Sequence, residues 1–347
     1  MKAAILKAQN DLEIVEIAKP SIQDHEVLIK VQATGICGSD VPRVLGNAAS
    51  RYPIVLGHEF SGIVEEIGSR VSKVKLGQRV TGIPLLPCHQ CVDCLQGNHA
   101  QCKHYSFVGS RKNGSWAEYV ALPERNVLAV DKQLSFVEAA FIEPATVGLH
   151  ALRHMKFRGG EHVLVIGAGT IGLLTMQWAK YFGARDITVI DIAEEQLELA
   201  KQLGATHTLN ANEDDCTQRS AEITSGRGYP IVVDAAGVNA TIKQAFHLVA
   251  VKGSVCLIGT SPTDLTFGHK EFELLNRKEF HLTGSWMSYS APFPGDEWEI
   301  AHEAIKERKI AISPLLFREM RLEQIHEAFD YYRKGKNAPG KIMFTFD

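Results

Sequence analysis

No stretch of this 347-residue chain comes near the roughly 18 uninterrupted apolar residues that a membrane helix needs, so no spanning helix is expected. The opening MKAAILKAQNDLEIVEI alternates polar and apolar residues and lacks the basic stretch, apolar run and small-residue cleavage site of a secretory leader. The expected compartment is therefore the cytoplasm, whose reducing conditions leave cysteines as thiols or metal ligands. Charge of one sign is also scarce. The formal net charge is −3, charged residues are spread along the chain, and no basic stripe is present to track a phosphate backbone. Nucleic acid and membrane are thus not expected partners, which leaves a small-molecule substrate. Internal repeats and low-complexity tracts are missing too. A hydrophobic content of 45% is ample for a large core, and the length suits about two domains.

What the chain does have is an uneven distribution of cysteine. Four of seven fall within fifteen residues, as Cys88-x2-Cys91-x2-Cys94-x7-Cys102. That spacing lets one short loop offer four thiolates to a single tetrahedral zinc. A disulfide lattice conflicts with the compartment, and a polar loop flanked by Gly and Pro is a poor place for four chance buried thiols. The closed set leaves no position for substrate, so its expected role is structural. A second, scattered set surrounds it: Cys37 in TGICGSD, His58 and Glu59 in LGHEFSG, and Glu143 in FIEP. Taken singly, each reads as readily as a core residue. Together, thiolate, imidazole and carboxylate are what an open catalytic zinc uses. The sequence does not rank Glu59 against Glu143. Cys216 and Cys256 read as structural thiols.

Residues 1–149 carry short β-like runs split by Gly and Pro, among them Ala3–Leu6, Val27–Val31, Gly62–Ile67, Gln78–Val80 and Trp116–Val120, which predict a β-rich, partly open barrel. Between Ser135 and Leu149 the period turns helical. From Glu161 onward, strand, glycine turn and helix alternate, predicting an α/β fold with a doubly wound parallel sheet over 150–285. Its expected strands are 161–166, 187–190, 207–210, 231–235, 254–259 and 281–285. Residues 286–347 add two helical stretches and a closing strand, Lys341–Phe346, whose character resembles the opening segment. The tail is therefore expected to return to the first domain.

Gly167-Ala168-Gly169-Thr170-Ile171-Gly172 follows the apolar strand Val163–Ile166 and opens the helical stretch Leu173–Tyr181. In that context the first glycine permits a tight turn, the second admits a pyrophosphate to the backbone, and the third lets helix and strand pack closely. Asp191 ends the next strand, about 20 residues on, where a carboxylate binds ribose hydroxyls and repels a 2′-phosphate, favouring NAD over NADP. The plain alternative is that Asp191 caps the helix at 193–203. Asp234, Ala235 and Gly237, at the end of a later strand, are candidates for the nicotinamide side.

GHEFSG at 57–62, the four-cysteine lobe at 88–102 and GAGTIG at 167–172 resemble the zinc-dependent medium-chain dehydrogenase/reductase superfamily, over almost the whole chain. Within it, CGSDVPRVLGN, LLPCHQCVDCLQGNHAQC, FVGSRKNGSWAEY, FIEPATVGLHAL and GSWMSYSAPFPGDEWE are similar to dehydrogenases of phosphorylated sugar alcohols. The resemblance implies a GroES-like catalytic domain beside a Rossmann domain, one catalytic and one structural zinc, NAD, and oxidation of a CH–OH group. Cys37, His58 and Glu143 then match the catalytic ligands, with Glu59 a direct ligand or the carboxylate that moves in as coordination changes. Ser39 matches the hydroxyl that passes the substrate proton towards the cofactor ribose; its plain reading is a turn serine. Pro42 stands where some alcohol dehydrogenases carry a relay histidine, so proton exit falls to water, Asp40, Glu59 or another route. A homodimer or homotetramer is also implied, with 254–259 and 281–285 as candidate edge strands.

A phosphorylated substrate needs cationic donors. Arg43 stands where related polyol dehydrogenases carry neutral aromatics and is the first candidate. Arg111 and Lys112 form a second basic pair after the cysteine lobe, and Trp286 and Tyr289 are candidates to cover the polyol. Solvated cations and a packing tryptophan are the plain readings. Two other classes stay open: a zinc dehydrogenase of the sorbitol, threonine or butanediol type, and a structural protein of dehydrogenase fold. Against the latter, both the ligand set and the dinucleotide turn are intact.

Overall fold

Glu26–Gly35 organises the first part of the chain. Its sequence EVLIKVQATG buries Val27, Leu28, Ile29, Val31 and Ala33 completely. Phe60–Ile67 and Tyr119–Pro123 both pair antiparallel with it, and the C-terminal strand Lys341–Thr345 pairs antiparallel with its last residues. The sheet runs Val127–Ala129, Arg79–Gly82, Phe60–Ile67, Glu26–Gly35, Lys341–Thr345, Leu316–Arg321. Register shifts at Leu28/Ile29 and Val31/Ala33 bend the organising strand, as β-bulges do. Val27, Ile29, Val31, Phe60, Val64 and Val80 pack on one side of it.

A smaller sheet pairs Lys2–Ala8 with Asp11–Glu16 and Ile54–Val55. The strand Asp11–Glu16 was not expected from the sequence; one buried residue, Leu12, anchors it, and hairpin pairing supplies the rest. Trp116, Phe329 and Phe344 meet edge to face, with ring centroids 5.6 and 6.2 Å from Trp116.

In this computed structural model, which describes residues 1–335 and 338–346, contacts divide the chain into two units. One is Met1–Glu143, Tyr289–Arg308 and the residues from Ile312 on; the other is Pro144–Ser288 with Lys309–Ala311. The second unit is built on His162–Ile166, HVLVI, buried at every position. A strand covered on both faces requires such an unbroken apolar run. All six strands are parallel, in the order His207–Asn210, Asp186–Asp191, His162–Ile166, Tyr229–Asp234, Val249–Leu257, His281–Gly284. The order reverses direction at His162–Ile166, and the crevice beyond the carboxyl end of that strand is where such sheets bind ligands. The run at 254–259 is not an edge: it falls largely in Val249–Leu257, which is paired on both sides. Of the two candidates His281–Gly284 is an edge strand; His207–Asn210 forms the opposite edge.

Candidate active site

The pairing of Phe60 with Thr34 brings the end of one strand beside the start of its neighbour. Cys37 follows the first strand; His58 and Glu59 precede the second, and the Gly35 N–H donates to Glu59 O at 2.8 Å. As a result one ligand atom from each of Cys37, His58 and Glu59 lies within 4.8 Å of the others. Gly57 makes the turn into this pair at φ +88°, and a Cβ there would sit 2.4 Å from the Trp116 ring. Residues 34 to 62 thus bring the Cys37 thiol beside the neighbouring imidazole and carboxyl of His58 and Glu59, which follow it at a distance in sequence.

Asp40 supports two of these ligands. Fully buried, it accepts the Cys37 N–H at 3.0 Å through Oδ2, while its Oδ1 faces His58 Nδ1 at 3.7 Å and accepts Arg43 Nη1 at 2.9 Å. A carboxylate behind a metal-binding imidazole fixes its orientation. Ser39 is exposed; its hydroxyl donates to Cys37 Sγ at 3.2 Å and accepts Arg43 Nη1 at 3.0 Å.

Lys341 is a residue that sequence reasoning missed. Its Nζ donates to Glu59 Oε1 at 2.6 Å and to Ile36 O at 3.2 Å, with both charged side chains almost wholly buried. Burial opposes the lysine's charge, but Glu59 and Cys37 outweigh it and raise its pKa above the ordinary range. Burial pushes the Cys37 thiol up to about 11, with the Glu59 charge adding to the effect. Glu143, at the start of the helix Ile142–Arg153, is buried and is raised to about 8, first by burial, against the attraction of His58. Glu143 is electrostatically part of the cluster but lies outside its tight trio.

These residues fit a metal ion. Glu59 Oε2 is buried without a hydrogen-bond partner, and several acidic groups share one desolvated space, which a cation relieves. Cys37, His58 and Glu59, with Glu143 adjoining, form the mixed donor set of an open zinc site.

Cys88, Cys91, Cys94 and Cys102 also converge within 4.8 Å. Backbone N–H groups of Gln90 and Cys91 point at Cys88 Sγ, at 3.5 and 3.3 Å, and that of Cys88 at Cys102 Sγ, at 3.3 Å. Such donors favour thiolate: backbone donation from Cys94 heads the causes that draw Cys91 down to about 6. Four soft ligands in one lobe suit a closed zinc site. Cys216 and Cys256 are buried elsewhere, in the second unit.

In the second unit, Gly167 turns at φ +95°, and a Cβ there would meet Ala236 N at 2.9 Å. Gly169 precedes the helix Thr170–Tyr181 and has open space where a Cβ would project. A Cβ on Gly172 would lie 1.8 Å from Gly167 O. The turn is therefore a cradle closed on the protein side and open at its middle glycine, at a helix N-terminus, which suits a pyrophosphate. Thr170 and Ile171 form the first turn of that helix. Asp191 Oδ2 accepts the Ala168 N–H at 2.6 Å and Oδ1 the Ala193 N–H at 2.9 Å. It holds the residue that opens the next helix, in line with the capping alternative, and it also braces the glycine turn, a role neither sequence reading contained. Ala235 N–H donates to Ile166 O at 2.9 Å, and the Gly237 N–H to Asp234 Oδ2 at 3.1 Å.

The substrate candidates are scattered. Arg43 joins the metal cluster, but one of its nitrogens is already engaged by Ser39 and Asp40. Arg111 donates to Tyr105 O and stacks on that ring at 3.9 Å. Lys112 donates to Ala121 O at 3.0 Å. Neither shares a recorded contact with the metal cluster among the described residues. Tyr289 is buried between Phe293 and Trp298, accepts the Leu85 N–H at 3.2 Å, and feels the charge of Glu143. Trp286 is half exposed, in the second unit.

Residues 23–132 match the alcohol dehydrogenase GroES-like domain and residues 170–307 the zinc-binding dehydrogenase family. The chain belongs to the zinc-dependent medium-chain dehydrogenase/reductase superfamily, with a GroES-like domain and a Rossmann domain. It is 39% identical over 345 residues to galactitol 1-phosphate 5-dehydrogenase of Escherichia coli (strain K12), covering 99% of each chain. The crystal structure of galactitol-1-phosphate dehydrogenase from Escherichia coli matches it with a TM-score of 0.95, over 100% of both chains. Sorbitol dehydrogenase of Bacillus subtilis (strain 168) is 35% identical over 264 residues, 75% of each chain.

Proposed function

We propose that this chain is a zinc- and NAD-dependent dehydrogenase of a phosphorylated sugar alcohol, oxidising galactitol 1-phosphate to L-tagatose 6-phosphate. The chemistry rests on the trio of Cys37, His58 and Glu59, the latter two buried; the substrate rests on 39% identity over 345 residues to galactitol 1-phosphate 5-dehydrogenase. Bound there, zinc lowers the pKa of an alcohol and polarises the ketone in the reverse direction, while NAD takes the hydride.

The chain's own residues supply the placement. Asp40 holds the Cys37 loop and faces His58. The Ser39 hydroxyl takes the substrate proton, oriented by Arg43. The fingerprint glycines and the Thr170–Tyr181 helix start receive the pyrophosphate, and Asp191 the adenosine ribose. The guanidinium N–H groups of Arg43 not used by Ser39 and Asp40 are the first candidates for the substrate phosphate. Assembly is a homodimer or homotetramer across His281–Gly284, in the cytoplasm.

A substrate panel followed by NADH absorbance tests the proposal. Galactitol 1-phosphate is expected to be turned over faster than galactitol, sorbitol, threonine and 2,3-butanediol. Equal or faster turnover of an unphosphorylated substrate favours the sorbitol-type reading instead, and no turnover of any favours a structural protein. Arg43→Ala is expected to raise KM for the phosphorylated substrate far more than for the plain polyol; equal effects on both restrict Arg43 to orienting Ser39.

A further inference from the structure

A cavity of about 560 Å³ lies in the first unit, lined by His25, Lys73, His89, His99, Arg125 and Phe293. None of these residues belongs to the metal cluster, the glycine turn or the substrate candidates. Strand pairing assembles them: Glu26 stands opposite Pro123, and the Glu124 N–H donates to His25 O at 3.0 Å, which brings His25 to the turn that carries Arg125. Glu124 Oε1 in turn accepts the Ser72 N–H at 2.6 Å and the Lys73 N–H, and so draws in the loop that carries Lys73. His89 and His99 belong to the four-cysteine lobe. With Phe293 they form an aromatic wall, its ring centroids 5.6, 5.4 and 5.3 Å apart and Phe293 edge to face against both imidazoles.

The charges of this cavity are not balanced within it. Lys73 and Arg125 are exposed, and neither side chain forms a recorded ion pair or hydrogen bond among the described residues. Glu124, the carboxylate among the lining residues, is engaged by backbone N–H groups instead. Elsewhere the chain pairs its exposed cations, as in Lys2 with Glu323, Lys7 with Glu13 and Arg219 with Glu222. A lone surface cation is merely solvated; two of them over a concave space with an aromatic wall can hold a phosphate by its oxygens and its carbon body by the rings. We propose that this cavity is a binding site for a small phosphomonoester, with Lys73 and Arg125 on the phosphate and the Phe293 wall against the body. The site is separate from the metal cluster and does not depend on how that cluster is read.

Calorimetric titration of the full-length protein tests it, with phenyl phosphate, glycerol 2-phosphate and inorganic phosphate as probes. The titrations use Arg43→Ala, which disables the first candidate for the substrate phosphate, with NAD in excess to occupy the glycine turn. At least one of the two esters is expected to bind more tightly than inorganic phosphate. Preference for phenyl phosphate assigns the site to a ligand with an aromatic body, such as a nucleotide, and preference for glycerol 2-phosphate to a sugar phosphate. Adding Lys73→Gln and Arg125→Gln together is expected to weaken ester binding at least tenfold, while adding Lys73→Arg alone is expected to preserve it. Both positions are exposed, so the unfolding temperature is expected to match that of Arg43→Ala. Equal affinity with and without the two neutral substitutions overturns the proposal. So does ester binding no tighter than that of inorganic phosphate, or no saturable binding of either ester up to about 10 mM.

Discussion

The three glycines of GAGTIG offer a test in which one added methyl group has a different consequence at each position. At Gly172 the new Cβ would stand 1.8 Å from Gly167 O, a backbone atom that cannot rotate away. The helix Thr170–Tyr181 would have to shift by more than an ångström against the turn. Overpacking of this kind costs about 3 kcal/mol, or about 6–12 °C in Tm for a unit of this size. At Gly169 the backbone is ordinary, with φ −66°, and no heavy atom lies within 4 Å of the new methyl. Gly169→Ala should therefore leave the Tm of the cofactor-free protein unchanged or raise its stability by about 0.5 kcal/mol through the unfolded chain. The same methyl occupies the space into which a pyrophosphate would lie, and NAD binding should weaken at least tenfold, about 1.4 kcal/mol. Thermal unfolding without cofactor and calorimetric titration with NAD separate the two effects. Unchanged NAD affinity in Gly169→Ala refutes the placement of the pyrophosphate at this turn. A wild-type Tm in Gly172→Ala refutes the packing argument.

Cys94→Ser should remove about one zinc per chain and lower Tm while NAD still binds, because the four-thiolate set is closed to substrate; unchanged zinc content by elemental analysis counts against the lobe as a metal site. Asp191→Ser should shift the preference for NAD over NADP at least tenfold towards NADP, and the loss of its bonds to Ala168 and Ala193 should cost about 1–3 kcal/mol of stability; an unchanged ratio of affinities removes Asp191 from the ribose. His162 is buried, and burial holds its pKa down to about 4 from 6.5. The unfolded chain therefore takes up this proton before the native state does. The stabilisation is complete above about pH 6.5 and fades as pH falls towards 4, by up to about 3 kcal/mol. Urea unfolding at several pH values should show this slope reduced in His162→Gln, and an unaltered slope assigns it to other groups.

Much of the site was legible in short stretches of chain. The cysteine lobe and the glycine turn are local devices, in which spacing alone brings donors or backbone N–H groups together. HVLVI announces a strand buried on both faces. Asp11–Glu16 was less legible because a strand with a single buried residue carries almost no apolar period. The edge of the parallel sheet was ambiguous because SVCLIG and HLTGS both read as strands, and pairing alone shows which has a free side.

The sequence by itself determined the four-cysteine lobe, the glycine turn and the class of fold, because each depends on residue type at fixed local spacing or on hydrophobic period; it offered the scattered Cys37, His58, Glu59 and Glu143 only as candidates. Only the tertiary structure decided how the open site is supported. Asp40 buttresses Cys37 and His58 because a short helical turn folds back between two paired strands. Arg43, a candidate for the substrate phosphate with a solvated cation as its plain alternative, bonds to Ser39 and Asp40. Lys341 meets Glu59 from 282 positions away, because the last strand of the chain lies beside the strand that leads to Cys37. No local pattern encodes that meeting; strand register and the need of a buried carboxylate for a counter-charge do.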